Sequence, residues 1–305
     1  MSTERIALST TVYPAALPYL RAWYASVLRQ TDRDFDLWVA ADGLTPAEVA
    51  AAADAPLNAP LQASWVPAEP GDTPTTLRAR AMAILVRRYP AVVFVDSDDV
   101  LEPTRVAAAR QALEECDVTG CGLRLVDATG DDLGVVLAPA TSADATAQLP
   151  MWNVFGLSNS AYRTSLLERC LPVPAETELV DWYLATAAWG HGARMHFDTT
   201  PRMRYRQHAG NMARVLPPFT PAYVRRATSL VERHHEAVRR GQSLPAAQGE
   251  RVERAANRVS AFRRWTETSP GALTRYGAAL HQLPTVHAWW WCVAHPDLEA
   301  MWSSS

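Results

Sequence analysis

The chain reads as an α/β protein: a mixed, mostly parallel sheet flanked by helices, with a helical region after it. Three observations predict this. Short β-rich runs alternate with longer helical ones through the first half; two of those runs stop abruptly at acidic turns; and strand signals vanish beyond Pro217-Pro218. Strands alternating with helices form parallel sheets, whose ligands sit beyond the carboxyl ends of the strands.

Each element follows in order. Residues 5–12 (RIALSTTV) read as a strand, and residues 17–30 carry apolar side chains at helical spacing. Residues 35–41 (FDLWVAA) form a second strand that closes on Asp42-Gly43, before a helix at 46–54 and a short strand at 61–66. A helix at 75–89 leads into the apolar strand 91–95, which runs straight into Asp96, Asp98 and Asp99. A helix follows at 104–115, then strand-like runs at 118–126 and 133–137. Residues 138–150, rich in Ala, Thr, Ser and Pro, read as a flexible connection over the site. A helix at 179–189 precedes two short strands, 193–197 and 203–206. The boundary is placed near residue 217, giving 1–217 as a catalytic domain and 218–305 as a region of about four helical segments. No internal repeat is present.

Composition narrows the function. Hydrophobic content of 48% and charged content of 20% are ordinary for a globular protein, and a net charge of −3 gives no basic signature for a nucleic-acid partner. The chain has no lysine, so all 29 basic residues are arginine. Schiff-base chemistry and the phosphate-binding lysine of a P-loop are therefore excluded. Cys116, Cys121, Cys170 and Cys292 lack metal or small-scaffold spacing and read as reduced, buried thiols of a cytoplasmic protein. MSTERIALST lacks the build of a signal peptide, and no apolar run is long enough to span a bilayer.

The stretch AVVFVDSDDVL carries the chemistry. Crowded carboxylates repel one another, and Asp96 and Asp98 at a strand end can share one hard cation, Mn²⁺ or Mg²⁺, while a diphosphate supplies further oxygens. The alternative is a solvated turn in which Asp99 caps the next helix. DSDDV also fits superficially the D-x-D-x-T/V of haloacid dehalogenase-like phosphatases, with Asp96 as nucleophile. Its place deep in the chain and the missing lysine weigh against that.

A wider resemblance spreads over about residues 5–215. TTVYPAALPYLRAWYASVLRQT, DFDLWVAADG, LRARAMAILVRRYPAVVFVDSDDVLEP, GLSNSAYRTSLLERC, VDWYLATAAWGHGAR and YRQHAGNMAR stand in the order of the motifs of family 2 glycosyltransferases, and the chain resembles that family. The resemblance implies a GT-A fold and metal-dependent, inverting transfer from a nucleotide sugar, with UDP or dTDP favoured, to an acceptor hydroxyl. It implies metal contacts from Asp98, Asp96 and His208. Donor contacts would come from Thr10, Tyr13, Asp42, Arg80, Asp96, Ser97, Arg206 and Asn211, with Arg214 beside them, and acceptor or sugar contacts from Asn159 and Trp182. Asp181 matches the family's catalytic base. Two positions depart from the pattern: Ala41 replaces the first Asp of D-D-G, and Val180 replaces the Glu before the base, with Glu178 close by. These departures support a competing class, a GT-A-like binding or scaffold protein without activity.

Two features stand outside the resemblance. Trp289, Trp290 and Trp291 cannot all share one helix face, so they either pack against the catalytic domain or offer an acceptor, dimer or membrane-surface contact. His234-His235 lies in a charged helix without H-E-x-x-H spacing and reads as solvated.

Overall fold

The computed structural model describes residues 4–54 and 63–303. The strands are β1 (Ile6–Val12), β2 (Phe35–Ala41), β3 (Ala63–Pro67), β4 (Ala91–Phe94), β5 (Val100–Leu101), β6 (Val118–Val126), β7 (Asp132–Leu137), β8 (Ser160–Arg163) and β9 (Met195–Arg206). They form one sheet in the order β3-β2-β1-β4-β8-β6-β9-β5, with β7 on β6. β1 to β4 pair in parallel, whereas β8 lies antiparallel between β4 and β6. The predicted mixed, mostly parallel α/β fold is therefore present. The apolar runs explain it: β1 and β4 are buried on both faces, as strands covered by helices on either side must be.

The helices are α1 (Leu20–Leu28), α2 (Pro46–Ala52), α3 (Pro74–Leu85), α4 (Arg105–Ala112), α5 (Ser142–Gln148), α6 (Thr164–Arg169), α7 (Val180–Gly190), α8 (Pro221–Gly241), α9 (Ala246–Thr268), α10 (Ala272–Leu280) and α11 (Ala300–Ser303). Several starts are written locally. Thr45 with Glu48, Thr73 with Thr76 and Thr141 with Asp144 form reciprocal capping boxes, and Pro46, Pro74 and Pro221 occupy first-turn positions that need no N–H donor.

Five expectations change. Residues 138–150 contain a helix, α5, started by the Thr141 box, so they are not a plain connection. The runs 193–197 and 203–206 join into the single strand β9, because β6 pairs along its whole length through two irregular registers. The strand expected at 61–66 is seen as Ala63–Pro67, its first two positions lying outside the described residues. The tryptophans 289–291 stand in a turn rather than a helix.

All three tryptophans and Trp302 are buried, as the packing reading expects. His234 and His235 are also buried, contrary to the solvated reading. They continue the apolar stripe Val224, Ala227, Val231, Val238 along α8, at the three-and-four spacing that turns a residue inward whatever its polarity. Among the described residues no helix is long and apolar enough to cross a membrane. All four cysteines are free and buried.

Candidate active site

β1, β2 and β4 end on one side of the sheet. There a cleft of about 360 Å³ opens, lined among others by Thr11, Tyr13, Asp42, Arg78, Asp96, Asp98 and Asp181. Parallel pairing of β1 with β2 and β4 puts Tyr13, Asp42 and Asp96 at neighbouring strand ends. The 156–158 loop that leads into the antiparallel β8 and the start of α7 close the opposite wall, and α7 brings in Asp181, some 85 residues later in the chain, at its first turn.

Asp98 is the centre of the acidic group. Its Oδ2 accepts the Tyr13 hydroxyl at 3.1 Å, and His208 Nε2 lies 3.1 Å from the same oxygen. His208 Nδ1 accepts the Gly210 N–H, and the ring packs at 5.0 Å on Tyr19. Burial pushes Asp96 up to about 7, with repulsion from Asp98 adding to it and Arg78 opposing it. Tyr13 is raised by burial and then by Asp98 and Asp96, so its hydroxyl keeps its proton. Burial also raises Asp181, against the Trp182 backbone N–H, Arg78 and the Asn153 amide, which favour its ionised form.

A divalent cation fits this donor set. Carboxylate oxygens of Asp96, Asp98 and Asp99 come within 4.8 Å of one another. His208 does not join them: with Nδ1 accepting from Gly210, Nε2 carries the ring proton and donates to Asp98, so the expected histidine ligand is instead a donor to the carboxylate. Asp99 belongs to the structure instead. It is fully buried; its Oδ1 accepts the Arg206 N–H at 2.7 Å and its Oδ2 accepts the Ser158 hydroxyl, so both oxygens are committed. Nor does it cap α4, whose N-cap is Thr104.

The remaining expected residues divide sharply. Asp42 and Asn211 line the cleft; Asn211 also accepts the His208 backbone N–H at 2.5 Å and donates to Arg206 O, shaping the loop that carries His208. Arg80 is turned away and pairs with Glu69 and Asp72. Thr10 is buried and absent from the lining of the main cleft, where Thr11 stands. Ser97 is buried and donates to Thr11 O at 2.8 Å. The Arg206 guanidinium is buried against Asp98 O, Asp127 O and Ala128 O and over the Tyr19 ring, so it braces loops rather than facing the cleft. Arg214 is exposed, beside Tyr223. Asn159 is buried, ties down the 153–159 loop through Cys121 O, Val154 O and Gly156 N, and faces no ligand space. Trp182 is buried on the far side of α7, donating to Leu149 O and stacked on His234 at 4.1 Å. Glu178 stays at the rim, paired with Arg233.

Two residues in the site escaped the sequence reading. Arg78, two positions from Arg80, faces Asp96 and Asp181 and, among the described residues, makes only a long 3.4 Å hydrogen bond, to Thr11. Residues two apart on a helix point about 200° apart, and the buried face of α3 (Leu77, Ala81, Met82, Leu85) decides which arginine turns to the cleft. That phase was readable in LRARAMAIL. Asn153, bonded to Asp181, left no signal in the sequence. Trp290 lines the cleft from the C-terminal region, at 3% exposure.

No family model matches the chain, and no curated protein matches it either. Solved structures do. TarS from S. aureus, residues 1–349 in complex with UDP-GlcNAc, superposes with a TM-score of 0.60 at 16% identity, over 88% of this chain and 74% of that one. The same protein in complex with UDP gives 0.58 at 17% identity, with the same coverage. A mannosyltransferase from Pyrobaculum calidifontis, in complex with GDP-Man and Mn²⁺, gives 0.55 at 18%, over 98% of this chain and 85% of that one. At these identities the likeness is one of fold, the GT-A-like fold of glycosyltransferases.

Proposed function

We propose that this chain is an inverting, metal-dependent glycosyltransferase of the family 2 type, moving a hexose from a UDP- or dTDP-sugar to an acceptor hydroxyl in the cytoplasm. The observation that carries the reading is the convergence of Asp96, Asp98, Arg78 and Asp181 on one cleft at the carboxyl ends of parallel strands. The fold neighbours that hold UDP-GlcNAc or GDP-Man with Mn²⁺ support it. Residues 1–217 would be the catalytic domain and 218–305 an appended helical region.

The chemistry divides between the two walls. Asp42 lies where a nucleoside would rest, at the end of β2. Asp98 and Asp96 would hold the cation, which would supply positive charge against the departing diphosphate. Tyr13 and His208 keep the Asp98 carboxylate in place. Arg78 supplies fixed positive charge between the two walls. Asp181 takes the acceptor hydroxyl proton while that oxygen bonds to the anomeric carbon from the face opposite the diphosphate. The anomeric C–O bond breaks and the diphosphate leaves with its electron pair. A base held upward in pKa by burial, yet favoured as an anion by local donors, suits that task.

The test is a thermal-shift panel of UDP, dTDP and GDP with and without Mn²⁺, followed by assay of nucleoside diphosphate released from the matching sugar donors. UDP or dTDP should raise the midpoint only with metal, because binding stabilises by mass action. Equal shifts without metal would sink the Asp96–Asp98 assignment. No shift with any nucleotide, and no diphosphate release, would leave the scaffold reading.

A further inference from the structure

We propose that Asn153 is a positioning residue for Asp181, and that the C-terminal tryptophan turn clamps Asn153 and so belongs to the working site. The inference deepens the reading above and rests on Asp181 as the base.

Asn153 is completely buried, yet every polar atom of its amide is used. The Phe155 N–H donates to its Oδ1 at 2.9 Å, which fixes which end of the amide is oxygen. The Nδ2 group then donates to Phe155 O at 3.2 Å and to Asp181 Oδ2 at 3.0 Å. Flipping the amide would break all three bonds in a buried place, where unmade hydrogen bonds are costly. The Asp181 carboxylate is thus tethered at one oxygen by a group that cannot turn.

The backbone of Asn153 is held in turn from the far end of the chain. Trp289 N donates to Asn153 O at 2.8 Å and Asn153 N to Trp289 O at 3.4 Å, an antiparallel bridge between residues 136 positions apart. Trp289 is fixed by its ring: Nε1 donates to the Tyr205 hydroxyl at 3.3 Å, and the indole covers Gly156 so closely that a Cβ there would come within 2.7 Å of it. The next residue, Trp290, has φ of +69°, a left-handed backbone that a bulky side chain rarely adopts. Such strain persists where the surroundings over-determine it, and it often marks a functional wall. Trp290 lines the same cleft as Asp181. Trp289, Asn153 and Asp181 therefore make one connected path from the C-terminal region to the base.

A base acts on a hydroxyl only within hydrogen-bond reach and in the right plane, so loss of the tether should lower turnover without loosening the donor. The test uses the full chain with Asn153→Ala, Asn153→Asp and Gly156→Ala. Two readouts are taken: kcat, donor KM and the pH profile with the donor found above, and the titration midpoint of Asp181 by carboxyl-carbon NMR, assigned by its loss in Asp181→Asn. Asn153→Ala should reduce kcat about tenfold to a hundredfold with donor KM within about twofold. Because the amide favours ionised Asp181, its loss should raise the Asp181 midpoint and the acid limb of the profile. Asn153→Asp should raise both further. Gly156→Ala, which displaces the Trp289 ring and leaves Asn153 in the chain, should move both readouts the same way by less, and it carries the test if Asn153→Ala does not fold. An unchanged Asp181 midpoint in these variants, or a lower kcat with an unmoved pH profile, overturns the proposal. A wild-type protein without turnover would overturn the glycosyltransferase reading instead, and the NMR midpoint would still decide the tether.

Discussion

Adjacent residues on α7 divide two regions that treat buried titratable groups in opposite ways. Asp181 faces the cleft with Asp96 and Asp98; Trp182 faces the opposite side, against His234 and His235. Desolvation acts on both. It raises Asp96 and Asp181, and it lowers His234 well below its ordinary range and His235 to about 4. On the histidine side the answer is neutrality: the uncharged His234 ring stacks on the Trp182 indole, His235 meets it edge-on, and His235 Nε2 lies 3.1 Å from Pro150 O. On the cleft side the carboxylates face ligand space, with Arg78 near and no ion pair to Asp96 or Asp181 among the described residues. Uncompensated charge beside open space is built for an incoming partner, whereas neutralised charge in packed space is built for stability.

That contrast can be broken by experiment, and the largest effect is expected on the cleft side. Asp181→Asn should lower transfer by about a thousandfold while donor binding and the thermal midpoint stay close to wild type. A variant with wild-type turnover would remove Asp181 as base. Asp98→Asn should abolish the metal-dependent part of the nucleotide thermal shift, and a retained Mn²⁺-dependent shift would move the metal elsewhere.

The histidine side should respond to acid rather than to ligands. A histidine whose folded pKa lies below its unfolded value binds more protons when unfolded, so stability is full above about 6.5 and falls as pH drops toward 4. At pH 5, His235 alone should cost about 2 kcal/mol relative to neutral pH, from its shift from 6.5 to about 4. Chemical denaturation of wild type and His235→Gln across pH 7 to 5 measures it; equal slopes in the two proteins would count against a neutral buried His235.

The smallest and most discriminating pair is on α3. Arg78→Gln should weaken turnover about tenfold, because it removes the guanidinium nearest both walls. Arg80→Gln should leave turnover unchanged and cost at most about 1 kcal/mol, as expected for partly exposed ion pairs with Glu69 and Asp72. Reversed effects would return the site role to Arg80.

Much of this organisation was legible in the chain. Apolar runs, helical apolar spacing and the acidic endings of β2 and β4 are local properties, and local physics writes them into sequence. They were enough to place Asp42, Asp96 and Asp98 at the strand ends that line the cleft. Long-range docking was not local. Whether His234 is wet or stacked depends on α7 lying beneath α8. The bridge between Asn153 and Trp289 joins two segments with no common pattern, because a backbone hydrogen bond leaves no trace in residue type. Sequence alone determined the sheet and the acidic strand end; the tertiary structure alone decided which neighbours surround them, since burial and contact belong to the packed chain and to no single stretch of it.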